Sequence, residues 1–315
     1  MIRPCVFAGF FVALQCEKLN IMLSILIPTY NYDCTQLVRD LHGQVELLGV
    51  DYEIIVMDDA SPQPACKLRN RVINEFPHCR YVELESNLGR ARIRNRLADE
   101  ARFEWLLFMD SDAKVVGNSF IADYLKYTDA DVICGGLCHA DTLPSPKVSL
   151  RYAYEKHADK HRASRYRGQR PYEQFTPFNF MIRREVFYSI RFDESITEYG
   201  HEDTLFGIEL GKRGVSIRHI DNPLLHVGLE SNECFLGKTR AALRNLALLE
   251  NCMQGHSSLL GVYGLLSRLR LDGYVARWFT RREQRITERL VNGETSSIHL
   301  FFIYKLGYYC QLKLQ

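Results

Sequence analysis

The sequence has no excess of charge of either sign. Its 315 residues include 40 lysines and arginines against 38 aspartates and glutamates, a formal net charge of +2. A charge this small gives no general attraction to nucleic acid, so we expect no nucleic-acid partner. With 46% hydrophobic and 25% charged residues, the composition is that of a globular protein. It excludes a largely disordered chain and a multi-span membrane protein.

The cysteines form no paired pattern. There are ten, but no C-x-x-C pair occurs, and Cys134 and Cys138 have no second pair that could complete a zinc site. A free cysteine is usually a small buried hydrophobic residue. The cysteines therefore favour a protein of the reducing cytoplasm.

Three common motifs of other enzyme classes are missing. The absence of G-x-G-x-x-G and G-x-S-x-G excludes the simplest dehydrogenase and hydrolase interpretations. Gly237, Lys238 and Thr239 match the end of a phosphate-binding loop. However, Asn232 stands where the loop needs its earlier glycine, and no strand precedes it, so we reject that motif.

The first residues contain no apolar run long enough to cross a bilayer. The run at 5–14 is too short, and no signal-peptidase pattern follows it. Met22 stands directly before the first strong strand pattern. We therefore predict that 1–22 is a leader or a mis-assigned start, 23–230 an α/β domain and 231–315 a helical region.

Strand and helix patterns alternate through the first two-thirds of the chain. Alternation at this spacing predicts βαβ units and a mostly parallel sheet flanked by helices. The predicted strands are 23–27, 52–57, 80–84, 105–109, 132–134 and 178–183, and the predicted helices are 34–48, 63–76, 90–101, 119–127 and 201–213. In such sheets ligands bind beyond the carboxyl ends of the strands.

Polar or acidic residues follow each of the first four predicted strands. The four segments are Pro28-Thr29-Tyr30-Asn31, Asp58-Asp59-Ala60-Ser61, Asn87-Leu88-Gly89-Arg90 and Asp110-Ser111-Asp112. A single Asp-x-Asp is weak evidence, because acid pairs are common on protein surfaces. Four such signals at consecutive strand ends predict one ligand site.

The chemistry of these residues fits a nucleoside diphosphate. The carboxylate of Asp59 can accept the N–H of a base or the hydroxyls of a ribose. Asp110 and Asp112 can hold a hard divalent cation, which would neutralise a pyrophosphate and make it a better leaving group. Asn87 and Gly89 allow close approach of the backbone. Arg94, farther along, supplies positive charge near the nucleotide.

A second acidic pair, Glu202 and Asp203, lies at the start of the predicted helix 201–213. Acids are routine in the first turn of a helix, where they meet the positive end of its dipole. Together with the upstream site, however, the pair favours a catalytic base. A sugar hydroxyl that attacks an anomeric carbon needs a group that removes its proton, and a carboxylate is suited to this.

The four segments and, after them, Gly200-His201-Glu202-Asp203 occur in this order in the sequence. Together they resemble the motifs of family 2 glycosyltransferases with the GT-A (Rossmann-like) fold. The resemblance covers about 23–230. It implies inverting, single-displacement transfer from a nucleotide sugar, with Mg²⁺ or Mn²⁺ as the cofactor. We expect a UDP- or GDP-linked donor and a glycan or lipid-linked acceptor.

The resemblance also implies roles for individual residues. Thr29 and Asp59 would contact the base, Asp110 the ribose or the metal, and Asp112 the metal and the diphosphate. Asp203 would be the general base, with Glu202 shaping the acceptor site, and His226 would complete the metal site. Pro28, Asn31, Asn87, Gly89, Arg94 and Ser111 would complete the nucleotide-sugar site. The stretch 175–184 resembles the family's sugar-site strand, which would bring Asn179 near the donor.

Two other functions compete with this one. A sugar-phosphate nucleotidyltransferase should carry a glycine-rich, lysine-bearing loop after its first strand, which Pro28–Asn31 does not resemble. A catalytically inactive nucleotide-sugar-binding module would be expected to lose an acidic site member, whereas all are present. The basic run at 151–170 is expected to face a diphosphate or an acidic glycan rather than nucleic acid.

The last helical stretch combines basic and aromatic residues. This combination suits peripheral contact with an anionic lipid surface, at the inner face of a membrane, whereas a core-packing helix or a dimer face remains open. The residues are Arg277, Arg281, Arg282 and Arg285, followed by Phe301, Phe302, Tyr304, Tyr308 and Tyr309.

Overall fold

A computed structural model describes residues 21–196, 199–293 and 296–314. Most of the predicted leader, 1–20, lies outside the described residues. The first strand begins at Met22, one residue before the predicted domain start. Within the described ranges, no helix has the length and apolar character needed to cross a membrane.

In the described ranges, ten strands form two sheets. They are β1 (Met22–Thr29), β2 (Asp51–Asp58), β3 (Cys79–Glu83), β4 (Trp105–Met109), β5 (Ala113–Lys114), β6 (Val132–Cys134), β7 (Leu137–Cys138), β8 (Asn179–Arg183), β9 (Ile217–His219) and β10 (Leu224–His226). The seven-stranded sheet has the order β3-β2-β1-β4-β8-β6-β9, and only β8 runs antiparallel to its neighbours. The predicted α/β architecture with a mostly parallel sheet is confirmed.

The central strands are buried on both faces, as their nearly continuous apolar sequences require. The parallel register brings strand ends level: Thr29 of β1 pairs with Asp58 of β2. The Asp59 amide then donates to the Thr29 carbonyl at 2.9 Å. The polar residues that follow β1 and β2 are therefore held at the same edge of the sheet.

The helices cover the sheet and build the C-terminal region. They are α1 (Thr35–Glu46), α2 (Pro64–Asn70), α3 (Arg90–Glu100), α4 (Phe120–Leu125), α5 (Ser149–His157), α6 (Ser164–Arg167), α7 (Arg184–Ile190), α8 (Glu202–Lys212), α9 (Asn232–Leu248), α10 (Glu250–Met253), α11 (Ser258–Arg268), α12 (Asp272–Thr280), α13 (Glu283–Asn292) and α14 (Ile298–Leu312). The helix predicted at 63–76 divides into α2 and a 3₁₀ turn, Arg71–Glu75.

The second sheet has three very short strands, in the order β5-β10-β7. Sequence patterns did not predict it, because two or three residues are too few to show a period. Its β5–β10 pair is antiparallel, with His226 opposite Ala113. Through this small sheet, the segment that follows β4 lies beside β10.

The C-terminal helices form their own apolar core, which also packs on the α/β domain through Leu150 of α5. Phe301 and Tyr304 lie in this core, and Tyr309 in an adjoining cluster; each side chain is almost fully buried. These three rings therefore do not face a lipid surface. For them the core-packing alternative is correct.

Candidate active site

A cleft of about 330 Å³ opens at the carboxyl edge of the large sheet. The ends of β1, β2 and β4, the loop after β3 and the start of α3 all contribute to it. Its lining residues are Pro28, Thr29, Tyr30, Tyr32, Asp59, Asn87, Gly89, Arg90, Ile93, Arg94, Asp110, Ser111, Asp112, Tyr199 and Lys238. The structure thus brings together every predicted nucleotide-sugar residue except Asn31.

Asn31 shapes the turn after β1 instead of lining the cleft. Its backbone is left-handed, with φ 53°. Its amide donates to Ser61 Oγ at 2.7 Å, and its side-chain oxygen accepts from the Gln63 amide at 3.2 Å. These bonds fix the turn that carries Thr29 and Tyr30 into the cleft.

Asp59 holds the loop that follows β3. One carboxylate oxygen accepts from the Leu88 amide at 2.6 Å, and the other accepts from the Gly89 amide at 3.0 Å. Burial raises the pKa of Asp59, and the two amides partly oppose this rise. Asp59 therefore joins the ends of two neighbouring strands into one wall of the cleft.

Two arginines of α3 surround Asp110. Arg94 Nη2 lies 2.5 Å from Asp110 Oδ1, and Arg90 Nη2 lies 3.8 Å from Oδ2. Although burial alone would raise the pKa of Asp110, Arg94 and Arg90 hold it below its usual value. Arg90 also donates to Glu202 Oε1 at 2.7 Å. The arginines already occupy the Asp110 carboxylate, which makes Asp110 a poorer candidate for a metal ligand than Asp112.

Asp112 and His226, far apart in the sequence, meet through the small sheet. His226 Nε2 lies 3.2 Å from Asp112 Oδ2, and its Nδ1 lies 2.8 Å from Glu155 Oε1. Burial alone would lower the pKa of His226, but its hydrogen bonds with Asp112 and Glu155 raise it to about 9. A carboxylate behind the imidazole is the usual way of orienting a histidine toward a metal.

The donor atoms near Asp112 fit a metal ion whose coordination shell is completed by oxygen atoms of the substrate and of water. In the part of the chain that the structure describes, no group of three or more His, Cys, Asp and Glu side chains is arranged to hold a metal. Mg²⁺ sites at phosphates, however, use one or two carboxylates, with phosphate and water oxygens as the other ligands. Asp112 supplies such a carboxylate, and His226 beside it could join as a nitrogen ligand once the metal displaces its Nε2 proton.

Glu202 and Asp203 do not line the nucleotide cleft. They line a second cavity of about 320 Å³ between α8 and the C-terminal helices, which shares Arg90 and Tyr199 with the cleft. Burial, and after it the neighbouring Glu202 carboxylate, raise the pKa of Asp203 above its usual value. The cavity wall includes Tyr154 and Phe235, so it offers aromatic as well as acidic surface.

The start of α8 is anchored on α9. Asn245 donates to the Gly200 carbonyl at 2.6 Å, and a ring nitrogen of His201 lies 3.1 Å from the Ala242 carbonyl. Gly200 has φ 99°, and a Cβ there would lie 2.9 Å from the Cβ of Ala242. The C-terminal region therefore fixes the segment from which both acids project.

The structure changes two expectations about ligand contacts. The Asn179 side chain is fully buried; it donates to the Gly136 and Asn222 carbonyls and accepts from the Tyr124 hydroxyl. This corrects its expected place near the donor. In the basic run, Arg167 donates to backbone carbonyls that include Cys134, at 3.0 Å. Arg151 alone among the run's basic residues lines either of the two cavities.

Several residues of the site were given no individual role by the sequence analysis, among them Arg90, Glu155, Tyr199 and Lys238. Arg90 could have been found, because it lies one helical turn before Arg94 and shares its face. Glu155 was hidden by the basic residues around it. Lys238 comes from the C-terminal region, and only the folded chain brings it to the cleft.

Residues 24–191 match the model of glycosyl transferase family 2. The chain belongs to this family. It is 22% identical over 190 residues to the teichoic acid poly(glycerol phosphate) polymerase of Staphylococcus epidermidis, covering 56% of this chain and 24% of that protein. It is 27% identical over 135 residues to the dolichyl-phosphate beta-glucosyltransferase of Dictyostelium discoideum, covering 38% and 41%. The match thus spans less than half the length of either relative.

Solved structures agree in fold. The mannosyltransferase PcManGT from Pyrobaculum calidifontis, in complex with GDP-Man and Mn²⁺, has a TM-score of 0.55 at 12% identity, covering 94% of this chain and 87% of that one. S. aureus TarS 1-349 in complex with UDP-GlcNAc has a TM-score of 0.50 at 17% identity, covering 93% and 91%. The chain carries a family 2 glycosyltransferase domain with the GT-A fold.

Proposed function

We propose that the protein transfers a sugar from a nucleoside diphosphate sugar to an acceptor hydroxyl, with inversion at the anomeric carbon. The observation that carries this proposal is the adjacency of two cavities. The cleft at the strand ends and the cavity of Asp203 share Arg90 and Tyr199 as a common wall. A donor in the cleft and an acceptor in the second cavity would therefore be held next to each other.

The donor occupies the cleft in this proposal. Thr29 and Asp59 lie at its β1–β2 end and face the base, whereas Asp110, Ser111 and Asp112 lie at the β4 end and face the ribose and the diphosphate. The solved relatives hold UDP-GlcNAc and GDP-Man, which supports a UDP- or GDP-linked donor.

Asp112 and His226 are the residues that would hold Mn²⁺ or Mg²⁺. The metal would neutralise the diphosphate and improve it as a leaving group. The Mn²⁺ in the mannosyltransferase complex supports a divalent metal in the cleft. Glu155 orients the His226 ring from behind, at 2.8 Å.

Asp203 is the proposed general base. The acceptor oxygen forms a bond to the anomeric carbon while the bond from that carbon to the diphosphate breaks, and the hydroxyl proton passes to the Asp203 carboxylate. The raised pKa of Asp203 makes its carboxylate a stronger base than an ordinary aspartate. A single displacement of this kind inverts the anomeric centre.

The acceptor in this proposal is a glycan or a lipid-linked sugar bound in the second cavity. Tyr154 and Phe235 give this cavity apolar ring faces beside the Asp203 and Glu202 carboxylates. A sugar has apolar C–H faces and hydroxyl edges, so it matches such a surface. A lipid-linked acceptor would also place the enzyme at the inner face of a membrane.

The test is titration calorimetry with UDP and GDP, with Mn²⁺ or Mg²⁺ and with EDTA. We expect metal to tighten nucleotide binding strongly, and Asp112→Ala to remove that effect. Equal affinity in both buffers would contradict the metal assignment.

Screening nucleotide sugars for metal-dependent hydrolysis then identifies the donor. A nucleotidyltransferase would instead release pyrophosphate from a nucleoside triphosphate, and an inactive binding module would bind the donor without turnover.

A further inference from the structure

Helix α9 contributes one side chain to the nucleotide cleft. Lys238 lines the cleft together with the residues of the strand ends. It lies outside residues 24–191, which match the family model. The neighbouring Gly237 and Thr239 do not form a phosphate-binding loop, because they lie inside a helix of 17 residues.

The position of Lys238 within the cleft follows from Tyr199. The Lys238 ammonium lies 5.3 Å from the centre of the Tyr199 ring, and the Arg90 guanidinium lies 5.2 Å from the same centre. Arg90 in turn reaches Asp110 at 3.8 Å. Lys238 therefore lies toward the Asp110–Asp112 end of the cleft, where the proposed donor has its diphosphate.

Lys238 differs from the other cations of the cleft in its ionic partner. Arg94 is paired with Asp110, which lines the same cleft, and Arg90 is shared between Asp110 and Glu202. Lys238 is paired with Glu230 Oε2 at 3.0 Å, and Glu230 does not line the cleft. A lysine ammonium on its flexible stem can turn from this partner toward an incoming anion.

We propose that Lys238 binds the outer phosphate of the donor diphosphate, so that the C-terminal region supplies part of the leaving-group site. This rests on the proposed function. A lysine binds phosphate as a point charge, and it stabilises the second negative charge that develops when the sugar leaves. Glu230 holds the ammonium at the edge of the cleft before the nucleotide arrives.

The experiment compares nucleoside diphosphate with nucleoside monophosphate. Calorimetry with Mn²⁺ measures UDP, GDP, UMP and GMP binding to the wild type, Lys238→Gln and Lys238→Arg. We expect Lys238→Gln to weaken diphosphate binding roughly ten- to hundredfold, the scale of a hydrogen bond to a charged group, and to leave monophosphate binding unchanged. Lys238→Arg should retain most of the affinity, because it keeps the charge.

Two further variants separate this role from a structural one. Glu230→Gln breaks the same ion pair but keeps the cation, so diphosphate binding should persist. Lys212→Gln removes a charge from an exposed site on α8 and should have no effect. The proposal is overturned if Lys238→Gln and Glu230→Gln both weaken binding, and each weakens diphosphate and monophosphate binding equally. It is also overturned if Lys238→Gln leaves the diphosphate affinity unchanged. A wild type that binds none of the nucleotides would instead refute the proposed function itself.

Discussion

At the scale of single residues, the identity of the base is the most direct question. Asp203 lines the second cavity, whereas Asp59, Asp110 and Asp112 line the nucleotide cleft. We therefore expect Asp203→Asn to abolish transfer and to leave donor binding nearly intact. The amide still hydrogen-bonds but takes no proton, so turnover should fall roughly a hundredfold or more. Steady-state kinetics and calorimetry on the same preparation measure both effects.

Glu202→Gln is the matched control for this prediction. Glu202 is buried and paired with Arg90 at 2.7 Å, which suits a supporting role. Its amide variant should keep most of the turnover at the pH optimum. If Asp203→Asn remains active and Glu202→Gln does not, Glu202 is the base.

The raised pKa of Asp203 predicts the acid limb of the pH profile. A base works only when it is ionised, so activity should fall as the pH falls through the Asp203 pKa, which lies above the usual value for aspartate. Glu202→Gln removes a negative neighbour that raises this pKa. The acid limb of turnover should then move to lower pH. An unmoved limb in Glu202→Gln would show that another group controls it.

The sequence predicted the carboxylates of the site better than their partners. Asp59 and Asp112 follow strands whose apolar patterns are strong, so their positions at the sheet edge could be inferred. Asn31 follows a strand as well, yet the left-handed turn directs its side chain to Gln63. The sequence shows that a residue follows a strand, but the local backbone decides where its side chain lies.

At the scale of elements, the small sheet positions the residues of the proposed metal site. The chain at Gly228 passes so close to Asp112 that a Cβ there would lie 2.4 Å from the Asp112 Cβ and 2.6 Å from its Oδ2. Gly228→Ala should therefore displace the carboxylate, at a cost of about 1–3 kcal/mol for overpacking. We expect weaker metal-dependent nucleotide binding, measured by Mn²⁺ titration at fixed UDP or GDP.

Gly261→Ala provides the comparison for Gly228→Ala. Gly261 lies in α11, with nothing within 4 Å of an added Cβ. Alanine there should leave nucleotide binding unchanged and stabilise the helix, by about 1 kcal/mol at most. If Gly228→Ala also binds metal and nucleotide normally, the close approach to Asp112 is not needed for the site.

The long elements could be predicted, whereas the small sheet could not. The predicted strand at 105–109 is confirmed without change as β4, and the predicted helix at 90–101 corresponds to α3. The strands β5, β7 and β10 have two or three residues each, and they exist through tertiary pairing rather than local pattern. His226 belongs to this second group, so no local pattern marked it, and only the family resemblance placed it in one metal site with Asp112.

At the scale of the whole molecule, the C-terminal helices complete the proposed active site. They anchor the segment before Asp203 through Asn245 and supply Lys238 to the cleft. The family match ends at residue 191, before all of these residues. The domain boundary predicted near residue 230 therefore separates two parts that share the proposed catalytic work.

The outer surface of the C-terminal helices carries the prediction of membrane contact. On α11, α12 and the turn between them, Leu265, Leu269 and Tyr274 are between 58% and 65% exposed. Each is followed within three residues by an exposed arginine, namely Arg268, Arg270 and Arg277. Each arginine near an anionic bilayer contributes about 1 kcal/mol to the free energy of binding, and salt screens this attraction. We therefore expect full-length protein to sediment with phosphatidylglycerol liposomes at low salt and to remain free of phosphatidylcholine liposomes.

This binding should depend on the arginines of α12 and of the residue that follows it rather than on the net charge, which is only +2. The double variant Arg277→Glu, Arg281→Glu should therefore lose most of the sedimentation. The variant Arg170→Glu, Arg213→Glu makes the same charge change on the α/β domain and should bind like the wild type. If both double variants lose binding equally, the attraction is general and no face is selected. If the wild type ignores anionic liposomes at low salt, membrane contact through this region is refuted.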